Sequence, residues 1–239
     1  MKRIITLIIF AIITQSCGNE NKSKNQESLK KSLESYILST KTDKVSSTTT
    51  LNVNEIPIEI QFEGKIKNAI KWSDKMGLNI VITTETGIYE SSKFTHENDG
   101  GDAELFAYHF KKLNGSFKQT WKVYDFISDC PVDIVAKYID NTFKITDLNN
   151  NGIAEIWLMY KTVCHGDVSP SDMKIIMYEG NQKYAIRGEN KVMHGIDDNG
   201  NKMYFGGEYI IDKSFTNGPI EFLEFAKKIW DRNIIETSN

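Results

Sequence analysis

The sequence lacks a long hydrophobic run, a cluster of basic residues and the common signatures of catalytic thiols and serines. Its longest apolar run covers about ten residues near the N-terminus, too few to span a bilayer. Lys and Arg are dispersed and the formal net charge is −3, so nucleic acid is not an expected partner. No CxxC pair and no Gly-x-Ser-x-Gly motif occurs. The 239 residues, 40% of them hydrophobic, nevertheless suffice for one large or two small folded domains.

The N-terminus has the features of an export signal. Lys2 and Arg3 precede an apolar run over residues 4–13, and the chain turns polar directly after Ser16-Cys17. This arrangement resembles the relaxed lipobox of Bacteroidota lipoproteins, although Thr14 stands where Leu is more usual. An ordinary cleaved signal followed by an incidental cysteine is the alternative.

The lipobox resemblance implies a particular fate for this segment. Residues 1–16 would form a signal peptide that is cleaved before Cys17, and the new N-terminal cysteine would be acylated. Residues 17–27 would then be a flexible, lipid-anchored linker, because they are polar. Several acyl chains anchor a protein durably, so the expected location is the outer membrane, on its periplasmic face or at the cell surface.

The two remaining cysteines predict a disulfide. Cys130 and Cys164 each end an apolar stretch, and an exported pair of thiols meets an oxidising compartment. Closing that loop would stabilise the fold by about 3–4 kcal/mol in the loop-entropy model. A reactive or metal-binding thiol is the alternative. His165 beside Cys164 does not support it, because neighbours on a strand point to opposite faces.

The hydrophobic pattern predicts a mainly β domain over residues 28–239. Hairpin turns are indicated by Asn114-Gly115 and by the EGNQ segment at 179–182. The predicted strands cover residues 56–62, 66–72, 78–84, 105–110, 117–127, 156–163, 172–178, 183–188 and 202–211, the last one broken at Gly206-Gly207. Amphipathic stripes predict a short helix over 28–39 and a C-terminal helix over about 219–235.

Three acidic, glycine-containing turns each precede an apolar strand, within residues 72–83, 145–159 and 195–205. They resemble the blade turns of FG-GAP-type β-propellers, and the signature is complete in the second copy. The chain is short for a full propeller. We therefore expect a single β-rich domain of antiparallel hairpins, related to propeller blades, with a helix at each end.

The stretch TDLNNNGIAEIWLMY at 146–160 predicts a calcium loop. The proposed ligands are the side chains of Asp147, Asn149, Asn151 and Glu155 and the backbone carbonyl of Ile153. Leu158 stands where an EF-hand has its closing Glu, and a strand follows, so the pattern resembles FG-GAP loops instead. Two carboxylates imply a dissociation constant of about 10⁻⁴–10⁻³ M. A hairpin turn built on Asn-Gly is the alternative.

Two other loops are rich in polar residues. The segment 164–174 places His165, Asp167 and Asp172 on a candidate binding loop. Its serines and acidic residues are of the types that hydrolases use, but their spacing matches no catalytic motif. A disulfide-tethered turn capped by Asp and Ser is the preferred interpretation. The segment HENDGGDAE at 96–104 is expected to be a solvated loop.

The run from DFISDCPVD through ITDLNNNGIAEIWLMYKTVCHGD to KYAIRG resembles a family of Bacteroidota lipoproteins described as surface polysaccharide biosynthesis proteins. The resemblance is clearest over residues 120–190. It implies a role in making or displaying lipopolysaccharide or capsule, with a glycan or an envelope protein as partner, and it carries over no catalytic residue. Two hypotheses follow: a non-enzymatic envelope lipoprotein with a calcium-stabilised β domain, and a secreted hydrolase acting on envelope polysaccharide.

Overall fold

A computed structural model of the chain describes residues 45–235. The expected signal peptide over 1–16, the linker carrying Cys17 and the helix over 28–39 lie outside the described residues. Within the described range, no helix is both long enough and apolar enough to cross a membrane.

The first sheet is an antiparallel meander in which each strand pairs with the next along the chain. The turn at Asn114-Gly115 has positive φ at both residues, as a tight two-residue hairpin turn requires, and the hairpin predicted there is confirmed. The strands are β1 (Thr49–Thr50), β2 (Lys65–Asp74), β3 (Gly77–Tyr89), β4 (Gly101–Leu113) and β5 (Ser116–Cys130).

The second sheet contains the strands β6 (Ile134–Tyr138), β7 (Lys144–Thr146), β8 (Glu155–Cys164), β9 (Asp172–Glu179), β10 (Gln182–Glu189) and β13 (Tyr209–Ile211). Their order in the sheet is β13-β10-β9-β8-β6, with β7 also paired to β8. The hairpin predicted across residues 179–182 is confirmed as the pair β9–β10.

The predicted strand over 202–211 is divided where its two glycines occur. Gly206 and Gly207 both have positive φ, a conformation that favours glycine, and the chain changes direction between them. Residues before the break form β12 (Lys202–Gly206), which pairs with β11 (Lys191–Ile196) as a separate hairpin. Residues after it form β13 at the edge of the second sheet.

The C-terminal helix is confirmed. A short helix α1 (Lys213–Asn217) leads into α2 (Ile220–Asn233), which begins after Pro219, a residue well suited to a helix start. Phe222, Ala226 and Trp230 recur at four-residue spacing and are fully buried. They pack on Trp157 and Met177 of the second sheet.

The fold has four layers, and it is mainly β and antiparallel, as predicted. The two sheets pack face to face around Leu105, Trp121 and Ile156, and Trp121 stacks on Tyr178 with ring centroids 4.2 Å apart. The helices cover the far face of the second sheet. The segment 51–62 covers part of the far face of the first sheet. These described residues form two broad sheets and a hairpin, not a radial set of blades.

One predicted strand is wrong. Residues 56–62 alternate apolar and polar side chains but form turns, with the Ile60 amide bonded to the Pro57 carbonyl at 2.9 Å. Pro57 has no N–H to donate to a neighbouring strand. The alternation has another use, because Ile60 is buried against the outer face of the first sheet while Ile58 is exposed.

Candidate functional site

The loop at 147–155 turns around the carboxylate of Asp147. Its backbone reverses at Asn150 and Gly152, both with positive φ. The Gly152 amide donates to Asp147 Oδ1 at 3.3 Å. Asp147 Oδ2 is buried and has no hydrogen-bond partner among the described residues. A buried, unpaired carboxylate oxygen is costly in a folded protein unless a cation or water satisfies it.

Asn149 and Asn151 stabilise the loop through both the oxygen and the nitrogen of their side-chain amides. Their side-chain oxygens accept from the amides of Asn151 and Ile153, two residues further on, at 3.1 and 2.7 Å. Their Nδ2 groups both donate to Glu179 Oε1, at 2.7 and 2.6 Å. Glu179 ends β9 and lies opposite Glu155, so the fold brings a further carboxylate to the loop.

Glu155 closes the loop from the start of β8. Its buried carboxylate accepts from the Thr146 hydroxyl at 2.6 Å and from the Leu148 amide at 2.9 and 3.0 Å. Burial raises the pKa of Glu155, the hydrogen bonds oppose that rise, and the nearby charges of Glu179 and Asp147 add to it. The site therefore concentrates negative charge that an oxygen-seeking cation would relieve.

The donor chemistry of this loop fits calcium, which takes carboxylate, amide and carbonyl oxygens. Within residues 45–235, no three His, Cys, Asp or Glu side chains are grouped as metal ligands. The predicted set contains two carboxylates and draws its other ligands from amide and backbone oxygens. Asp147 supplies a free acceptor, whereas Glu155 and the two asparagines are hydrogen-bonded within the loop or to Glu179. Both the calcium loop and the hydrogen-bonded turn remain consistent with these contacts.

The same loop fastens the second sheet to the first. The Gly152 carbonyl accepts from the Lys75 amide at 2.8 Å, and the Ala154 amide donates to Asp74 Oδ2 at 3.2 Å. Asp74 also accepts from the indole of Trp72 at 3.1 Å. This contact could not be predicted from local patterns, because the β2–β3 turn is about 80 residues away along the chain.

The predicted disulfide is confirmed. Cys130 at the end of β5 is bonded to Cys164 at the end of β8, with their Cα atoms 5.9 Å apart. Since the two strands belong to different sheets, the bond is a second covalent connection between the layers.

The candidate binding loop after Cys164 contains no assembled triad. Asp167 is 73% exposed, and its Oδ1 lies 3.9 Å from His165 Nδ1. The Ser169 hydroxyl donates to Asp167 at 2.7 Å rather than to the histidine. Asp172 begins β9, opposite Thr162. These contacts describe a capped surface turn.

The expectation of a solvated loop over 96–104 is wrong at its second half. Residues from Gly101 onward belong to β4, and the side chains of Asp102 and Glu104 are buried. Asp102 accepts from His96 Nε2 at 2.7 Å and from the amides of Ser91 and Asp129 at 2.6 and 2.9 Å. These bonds hold the segment 90–101 against the sheet, so acidic residues that looked solvated are structural.

The pKa values at this contact favour an ion pair. The hydrogen bond to Asp102 raises the pKa of His96, against the smaller opposing effect of burial. Burial alone would raise the pKa of Asp102, but the hydrogen bonds from Asp129, Ser91 and His96 lower it.

Glu104 lies at the floor of a cavity that sequence reasoning missed. The cavity has a volume of about 510 Å³ and is bordered by Glu63, Tyr89 and Lys93. Glu104 accepts from the hydroxyls of Tyr89 and Tyr124, the latter at 2.7 Å, and from Lys93 Nζ at 3.1 Å. Lys93 also donates to Glu63 at 2.6 Å, so one ammonium bridges two carboxylates.

A ladder of stacked rings adjoins this cavity. Ring centroids are 4.9 Å apart for Phe94 and Phe126, 5.3 Å for Phe126 and Tyr124, and 5.0 Å for Tyr124 and Phe106. Tyr124 and Phe126 remain 41% and 42% exposed. Lys122 Nζ lies 4.6 Å from the Phe106 centroid, a cation–π contact. Rigid exposed rings beside fixed polar groups are the usual elements of a ligand site.

No protein-family model matches the chain, and no curated protein or solved structure shows significant similarity to it.

Proposed function

We propose that this chain is a lipid-anchored cell-envelope protein that acts by binding, not by catalysis, in the biosynthesis or assembly of surface polysaccharide. Export and anchoring are supported by the lipobox-like segment ending at Cys17. The Cys130–Cys164 disulfide is consistent with export, because paired cysteines are expected to be oxidised outside the cytoplasm. The polysaccharide role is supported by the resemblance over residues 120–190.

A structural calcium ion at 147–155 is part of this proposal. The observation that carries it is the buried, unpartnered Oδ2 of Asp147, beside the carboxylates of Glu155 and Glu179. A bound divalent cation would offset that charge and strengthen the contact between the loop and the β2–β3 turn. The ion would thus stabilise the packing of the two sheets.

Hydrolysis of envelope polysaccharide is the competing function, and the cavity beside Glu104 is the place to examine it. Glycoside hydrolysis needs one carboxylic acid with a raised pKa and one free carboxylate. At Glu63 the hydrogen bond from Lys93 lowers the pKa, with burial opposing it. Glu104 has hydrogen bonds from two tyrosines and the same lysine. The arrangement favours binding, because the carboxylates are engaged in holding other side chains.

Deletion of the encoding gene tests the function. We expect the composition or length distribution of the surface polysaccharide to change, and plasmid-borne wild-type protein to restore it. A Cys17→Ala variant should fail to restore it and should leave the outer-membrane fraction, whereas an Asp167→Asn variant on the exposed turn should behave as wild type. An unchanged polysaccharide profile in the deletion strain would refute the proposed role.

A further inference from the structure

The cavity beside Glu104, with the ring ladder Phe94–Phe126–Tyr124–Phe106 next to it, is here called the aromatic cavity. It lies on the outer face of the first sheet, between residues 63–65, the end of β3, Glu104 of β4 and the segment 90–93, and the rings of β5 adjoin it through Tyr124. The segment 51–62 covers a neighbouring part of that face and leaves Tyr124 and Phe126 partly exposed. A contiguous group of partly exposed rings is the kind of surface patch that marks an interaction site.

The polar groups of the aromatic cavity are held in fixed positions. Glu104 orients the hydroxyls of Tyr89 and Tyr124 and the ammonium of Lys93 at once. The segment that contributes Lys93 is itself fixed by the hydrogen bond between His96 and the buried Asp102. A ligand would therefore meet groups already oriented, which lowers the entropic cost of binding.

The charges of the aromatic cavity balance one another. Its lining includes three carboxylates and two ammonium groups, and Lys122 adds a third ammonium by pairing with Glu63 at 3.3 Å; the residues are Glu63, Glu90, Glu104, Lys65, Lys93 and Lys122. An anionic ligand would face carboxylates, and a cationic one would compete with the resident lysines. The balance favours an uncharged ligand rich in hydrogen-bonding groups.

A neutral sugar matches both the aromatic rings and the polar groups of the aromatic cavity. One face of a pyranose ring presents C–H groups that pack on an aromatic ring, and its rim presents hydroxyls that both donate and accept hydrogen bonds. Tyr124 and Phe126 supply the exposed aromatic surface, while Lys93, Thr86 and Ser92 supply donors and acceptors at the cavity wall.

We propose that the aromatic cavity binds a neutral pyranose unit of a glycan, with Tyr124 and Phe126 as the stacking platform. This inference rests on the proposed binding role and names its ligand class and its site. The residues that touch the sugar do no chemistry on it, and the glycan leaves unchanged.

Saturation-transfer NMR on the full chain tests the inference. The probes are the neutral hexasaccharides of maltose, cellulose, mannan and chitin type, with hexagalacturonate as the anionic comparison. We expect at least one neutral hexasaccharide to bind and hexagalacturonate to bind less. Tyr124→Ala and Phe126→Ala should each weaken that binding by about three- to tenfold, the loss that one stacked ring accounts for.

Tyr204→Ala is the matched control, because Tyr204 is also 41% exposed but lies on β12. It should leave sugar binding unchanged. Tyr124→Phe keeps the ring and removes the hydroxyl that Glu104 orients, so an intermediate loss is expected. Circular dichroism of each variant would establish that the fold is retained.

Three results would overturn the inference: no binding of any neutral hexasaccharide, tighter binding of hexagalacturonate, or binding that both alanine variants leave intact. If the deletion strain has altered polysaccharide while the purified chain binds no neutral sugar, this inference fails and the proposed function stands. If the chain binds sugar while the deletion strain is normal, the reverse holds.

Discussion

Calcium should raise the thermal stability of the protein through the loop at 147–155. The loop contains an unpartnered oxygen on Asp147, and the charges of Asp147 and Glu179 act on Glu155. A cation held there binds the folded chain and not the unfolded one, so it stabilises the fold by mass action. Chelation reverses the effect without changing any covalent bond.

The magnitude follows from the expected affinity. With a dissociation constant of about 10⁻⁴–10⁻³ M and about 10 mM free calcium, binding adds about 1.4–2.7 kcal/mol to the free energy of unfolding. For a domain of this size, each kcal/mol raises the melting temperature by about 2–4 °C, so a shift of about 3–11 °C is expected.

The assay is thermal unfolding followed by circular dichroism in 10 mM calcium and in excess EDTA, with ionic strength held constant. Asp147→Asn keeps the size of the side chain and should abolish the difference between the two conditions. Asp167→Asn, on an exposed turn, should preserve it. Magnesium is a useful comparison, because it sheds its water reluctantly and should give a smaller shift.

A wild-type melting temperature that is equal in calcium and EDTA would refute the calcium site. The stability of the Asp147→Asn variant also distinguishes the two interpretations of the loop, because they predict opposite effects. If the loop is only a hydrogen-bonded turn, this change relieves repulsion on Glu155 and leaves stability unchanged or higher in either buffer. If calcium binds, the variant is less stable than wild type in calcium.

Three further outcomes are expected. Replacing both Cys130 and Cys164 by Ala should lower the free energy of unfolding by about 4 kcal/mol in the loop-entropy model, measured by guanidinium titration against the oxidised wild type; a loss below about 1 kcal/mol would contradict it. In the same titration, Phe222→Ala should cost about 3–5 kcal/mol because its side chain is fully buried between α2 and the second sheet, whereas Ile220→Ala, at an exposed position, should cost little. Folding raises the pKa of His96, so its ion pair with Asp102 contributes stability below about pH 6.5, and that stability is lost as the pH rises through the raised pKa. The melting temperature should therefore fall more between pH 6 and 9 in the wild type than in His96→Gln. Parallel curves for the two proteins would contradict this.

Local patterns in the sequence predicted most of the strands and the helix at the C-terminus. Asn114-Gly115 marks its hairpin because few other dipeptides accept positive φ at both positions, and α2 carries apolar residues at helical spacing. The two cysteines were informative because, in a chain expected to be exported, a pair of thiols has few fates other than a disulfide.

The aromatic cavity could not be predicted, because it depends on an irregularity in the hairpin. Counting back from the turn, Phe106 of β4 would pair with Val123 and share a face with it. An extra residue, Thr120, lies between the partners of Phe110 and His109, so Phe106 pairs with Tyr124 instead. Such a bulge moves every later side chain of β5 to the other face, and nothing in the local sequence announces it.

The loop at 147–155 shows a similar limit. Alternating oxygens identified Asp147, Asn149, Asn151 and Glu155, but Glu179 reaches the loop only through the register of β8 and β9. The strand expected over 56–62 failed for a related reason. Apolar and polar residues alternate there because one side of the segment is covered and the other is exposed. A β-strand and an irregular segment lying on a sheet both produce this alternation.

Strand β8 is fastened to the first sheet at both of its ends, by the disulfide at Cys164 and by the hydrogen bonds of Gly152 and Ala154 just before Glu155. The two layers therefore cannot part by a hinge at either end while both connections hold. Amide hydrogens in the middle of β8 should exchange with solvent only when the whole domain unfolds. Reduction of the disulfide would free one end alone, so the amides near Cys164 would begin to exchange through a partial opening while those near Glu155 stay protected. The end of β8 that is released first thus determines which of its amides begin to exchange first.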